Sequence, residues 1–62
     1  MKTINCKYGT FGLEYKDNEY GKYYDVFNNN TWIGELHNCE SLSWKEIAEQ
    51  LEDACENNEL MF

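Results

Sequence analysis

The apolar spacing of this 62-residue chain changes once, and that change limits the folds open to it. Up to His37 apolar residues recur at every second position, the period of a half-buried strand; from Ser43 on they recur three and four apart, the period of a helix. In the first stretch, Thr3 to Tyr8 alternates cleanly, with Ile4, Cys6 and Tyr8 on one side and Thr3, Asn5 and Lys7 on the other. Gly9 to Gly12 is expected to be a turn or bulge, and Leu13 to Lys16 a second strand. Asp17 to Gly21 is expected to be a loop and Lys22 to Phe27 a third strand. Asn28-Asn29-Asn30 has the composition of a hairpin turn, since Asn tolerates positive φ. Thr31 to His37 is the fourth strand.

Ser43-Trp44-Lys45-Glu46 is a capping box, with Leu42 and Ile47 placed as a hydrophobic staple around it. Trp44, Ile47, Ala48, Leu51, Ala54 and Cys55 then form one apolar stripe on a helix expected to end near Asn57 or Asn58, where Asn suits a left-handed cap. Leu60, Met61 and Phe62 are expected to tuck back onto the core. The expected architecture is α+β: one domain over 1–62, with a four-stranded antiparallel meander over about 2–37 and a single helix over about 44–57 packed on one face, ββββα.

One helix covers one face of such a sheet. With Tyr24, Val26, Trp32 and Leu36 turned to the helix, Tyr23, Phe27 and Ile33 would lie on an open face suited to a partner or to a second copy in a homodimer.

Charge narrows the partners. The net charge is −7; residues 1–42 carry four lysines against six acids, and residues 43–62 one lysine against six acids. Glu46, Glu49, Glu52, Asp53 and Glu56 form a row opposite the apolar stripe, with like charges three and four apart and acids near the helix C-terminus, where the macrodipole favours cations. Such a surface repels phosphates and so argues against direct nucleic-acid binding; it suits a cationic protein surface.

The remaining chemistry is sparse. His37 and Cys39 lack an orienting third group for nucleophilic catalysis. Cys6, His37, Cys39 and Cys55 match the number of zinc ligands without the paired short spacings of a zinc signature. The solvent-facing acids lack the dissimilar environments of an acid–base pair and the spacing of a calcium loop. No enzyme, metal or cofactor is expected. Nor does any N-terminal apolar region or membrane-length run occur, and the odd cysteine count lacks a disulfide framework, so a cytoplasmic location is expected. The abundance of Asn, Lys and Tyr, encoded by AT-rich codons, hints at a bacterial or phage genome.

The reading that follows is a small acidic inhibitor that occupies a cationic, nucleic-acid-binding surface of another protein, the manner of action of anti-restriction and anti-CRISPR proteins of mobile elements. Its expected contacts are Glu46, Glu49, Glu52, Asp53 and Glu56, with Tyr23, Phe27 and Trp32 as anchors. The alternative is an adaptor or homodimeric module that binds through the aromatic sheet face and uses its acids only for solubility.

Overall fold

The computed structural model describes residues 1–61. It has the expected ββββα order: β1 (Lys2–Cys6), β2 (Gly9–Asn18), β3 (Gly21–Asn28), β4 (Thr31–His37) and α1 (Trp44–Glu56). The strands form one open antiparallel sheet in sequence order.

All three hairpins close through two residues. Cys6 pairs with Gly9, Asn18 with Gly21 and Asn28 with Thr31. The first turn is therefore Lys7-Tyr8, earlier than Gly9–Gly12, and the loop expected over Asp17–Gly21 shrinks to Glu19-Tyr20. Glycine accounts for both shifts. Gly9 (φ +127°) and Gly21 (φ +132°) take up the backbone conformation that follows each tight turn, so the strands can run right up to it. In the third turn Asn29 (φ 52°) and Asn30 (φ 65°) adopt the left-handed pair that a type I′ hairpin requires.

Ile4, Phe11, Leu13, Val26 and Leu36 share the face beneath α1 and bury against Ile47, Leu51 and Ala54 of the helix. Ala48 and Cys55 flank that contact half-buried, as does Leu42, the staple residue. Trp44, the expected start of the stripe, lies at its rim, edge-on to Tyr24 (centroids 5.9 Å apart) and beneath the Lys2 amine. The capping box is formed as expected. Asn58 (φ 58°) is the left-handed cap, with Glu59 N–H donating to the Ala54 carbonyl and Asn58 N–H to that of Cys55.

One face assignment is corrected. Phe27 pairs with Trp32 but Val26 pairs with Gly34, so β4 carries one extra residue, a β-bulge at Ile33. Beyond it the alternation inverts: Ile33 turns into the core, 4% exposed, and Trp32 turns to the open face, 45% exposed. The tail accounts for the bulge. Gly34 sits at φ +152°, and the space where a side chain would begin is occupied by Leu60, 2.6 Å from an ideal Cβ. Met61 N–H donates to the Ile33 carbonyl at 2.7 Å, covering part of the β4 edge. The tail thus tucks in through Leu60, which is buried, while Met61 stays exposed; Phe62 lies outside the described residues.

Candidate functional site

Three of the five helix carboxylates serve the fold. Glu46 accepts from the Ser43 N–H at 3.0 Å and donates its own N–H to Ser43 Oγ at 3.2 Å, closing the capping box. The backbone and side-chain bonds from Ser43 hold its carboxyl below the ordinary value. Glu52 accepts from the backbone N–H of Lys7 at 3.0 Å. Glu56 pairs with the Lys7 amine at 3.0 Å and takes a hydrogen bond from Tyr8, which together lower its pKa, while the same pair raises that of Lys7. The last helical turns therefore grip the β1–β2 turn. Glu49 and Asp53 alone in this row have no side-chain hydrogen bond or ion pair among the described residues.

A second acidic row lies on the open sheet face, assembled by register. Glu14 pairs with Asp25, and Asp25 pairs with Glu35, so three carboxylates stand side by side across three strands. Adjacent strands are about 4.8 Å apart, and like charges directly opposite one another are unfavourable. Each is partly compensated. Glu14 pairs with Lys16, which holds its carboxyl below the ordinary value. Asp25 Oδ1 accepts from the Trp32 indole N–H at 3.0 Å. Glu35 meets His37 Nε2 at 2.9 Å.

Aromatic pairs flank this row. On one side Phe27 stands in register with Trp32. On the other, Tyr23 stacks on His37, centroids 5.2 Å apart and planes 25° from parallel. All three expected anchors, Tyr23, Phe27 and Trp32, are thus together on the open face, Trp32 there only because of the bulge. Glu35 and His37 also line a groove of about 360 Å³ between β4 and the helix, together with Gln50, Asp53, Asn57 and Glu59. Glu35 of the sheet row and Asp53 of the helix row thus line the same groove.

Glu14, Asp25, Glu35 and His37 were not among the site residues expected from sequence. The available signal was the turn length: a two-residue turn at Glu19-Tyr20 sets Glu14 opposite Asp25. Reading Asp17–Gly21 as a loop concealed it.

The thiols do not converge with His37. Cys39 is buried, its pKa raised by burial, and its Sγ–H donates to the His37 carbonyl at 3.3 Å, whereas the His37 ring lies on the open face. Cys6 and Cys55 pack half-buried on the helix side of the sheet. No three His, Cys, Asp or Glu side chains among the described residues are placed to hold a metal ion. No helix among them is long and apolar enough to cross a membrane. Compared with models of known protein families, with curated proteins and with solved structures, the chain matches none.

Proposed function

We propose that this protein is a non-enzymatic inhibitor that occupies a cationic, nucleic-acid-binding surface of a partner protein, in the manner of anti-restriction and anti-CRISPR proteins of mobile elements. The observation that carries this reading is the carboxylate row Glu14–Asp25–Glu35, set between aromatic pairs, with Asp53 lining the same groove as Glu35. Its step of about 4.8 Å is of the same order as the separation of successive charges along a nucleic-acid strand. The aromatics supply contact energy, and the carboxylates supply association rate and selectivity for a basic surface.

The adaptor reading is favoured by the exposure of Trp32 and now points to the same surface. The two differ in what the acids do. A basic protein captured from host lysate is expected to lose its grip on nucleic acid when this protein is added, and excess nucleic acid is expected to displace this protein in turn. Neutralising Glu14, Asp25 and Glu35 together (to Gln, Asn and Gln) should abolish the competition and the steep fall of on-rate with salt. Simultaneous binding of nucleic acid and this protein to the captured partner would defeat the inhibitor reading.

A further inference from the structure

We infer that the open sheet face is a docking surface for an arginine-bearing segment of the partner protein. This rests on the cationic-partner reading and names the side chain that reading leaves open.

The face offers two kinds of contact within the reach of one side chain. Same-face neighbours along a strand are about 6.8 Å apart, so Asp25 has Tyr23 on one side and Phe27 on the other. Across the β3–β4 pair, Glu35 lies one such step from His37. Trp32 donates its indole N–H to Asp25 Oδ1 and stays 45% exposed, so an aromatic surface and a carboxylate stand side by side on this face. A guanidinium is planar, stacks on an aromatic face and donates two parallel hydrogen bonds to a carboxylate, so it uses both contacts at once. An ammonium meets a carboxylate as a strongly hydrated point charge and makes less of the rings.

Charge excludes the other occupants. A second copy of this chain would set one carboxylate row against another. An apolar segment would bury three carboxylates whose described partners are Lys16 for Glu14, the Trp32 indole N–H for Asp25 and the His37 ring for Glu35, with no cation opposite Asp25 in these contacts. Nucleic acid would be repelled by the same row. The groove beside Glu35, with Asp53 and Glu59 in its wall, has room for a second cationic side chain of the same segment.

The full chain, labelled with ¹⁵N, is titrated with capped hexa-arginine and hexa-lysine peptides at low ionic strength. Hexa-arginine is expected to bind about tenfold more tightly, with the largest shifts at the Trp32 indole and the amides of Tyr23, Asp25 and Phe27. Trp32→Leu should weaken hexa-arginine binding more than hexa-lysine binding and so narrow the gap between them. Asp25→Asn makes the same test without changing a ring, should the first variant not fold. Equal affinities for the two peptides, or shifts confined to Glu49 and Asp53, overturn the inference and leave the cationic-partner reading standing. Failure of both peptides to bind overturns both.

Discussion

Leu60→Ala tests whether the C-terminal tail shapes the sheet or merely rests on it. Leu60 is 6% exposed and belongs to the same buried cluster as Ile33, Leu36 and Ala54. Truncating a buried leucine to alanine costs about 2–5 kcal/mol, and a site near a chain end can relax, so about 2–3 kcal/mol is expected here. A domain of this length has about 3–9 kcal/mol in total, so the loss is a large share of it. At about 4–8 °C per kcal/mol for so small a domain, Tm should fall by roughly 8–24 °C. Urea unfolding followed by both circular dichroism and tryptophan fluorescence measures it. Gly34→Ala supplies the second arm. Its new Cβ meets Leu60 and its φ of +152° is unfavourable for alanine, so it too destabilises. In the double variant the truncated Leu60 leaves room for that Cβ, so the combined loss should be smaller than the sum of the single losses by about 0.5 kcal/mol or more. Strict additivity, or a loss from Leu60→Ala below about 0.5 kcal/mol, would refute the coupling of tail and bulge.

The bulge also fixes which of two neighbouring residues is core: Ile33→Ala should cost about 2–4 kcal/mol in urea unfolding, and Trp32→Ala under about 1 kcal/mol. The reverse order would return Trp32 to the helix side. The acid limb of stability should reveal the clamp on Lys7. Glu46 and Glu56 have folded pKa values below the usual 4.5, so their stabilisation is complete above about pH 4.5 and is lost as pH falls through the lower folded values. Glu56→Gln should therefore lose less stability than the parent between about pH 5 and pH 3, measured by urea midpoints; parallel losses would show that the Lys7–Glu56 pair contributes nothing.

Local rules make part of this site legible in advance. Ser43 and Glu46 are three residues apart, so the capping box depends on nothing distant. Tyr23 and Phe27 share the parity of their strand, which puts them on one face in any register. The helix acids could be assigned to the outer side of α1 by period alone. Their employment could not, because Glu52 and Glu56 find Lys7 across more than forty residues of intervening chain. Of the five helix carboxylates, Glu46, Glu52 and Glu56 make contacts within the fold, and Glu49 and Asp53 make no side-chain hydrogen bond or ion pair among the described residues.

The sheet row was hidden for a related reason. Glu14, Asp25 and Glu35 are each ten or eleven residues from the next, and only register makes them neighbours. Periodicity and turn chemistry in the sequence therefore determined the order ββββα, the apolar stripe of α1, the positive-φ turn at Asn29-Asn30 and the excess of negative charge. These are local preferences, each expressed within a few residues. Tertiary structure decided the rest. Leu60 packing on Gly34 and Met61 bonding to Ile33 accompany the extra residue in β4. That residue inverts the alternation, buries Ile33, exposes Trp32 and brings Glu35 opposite Asp25. A two-residue period cannot reveal its own interruption, because the contact that stabilises the interruption comes from the other end of the chain.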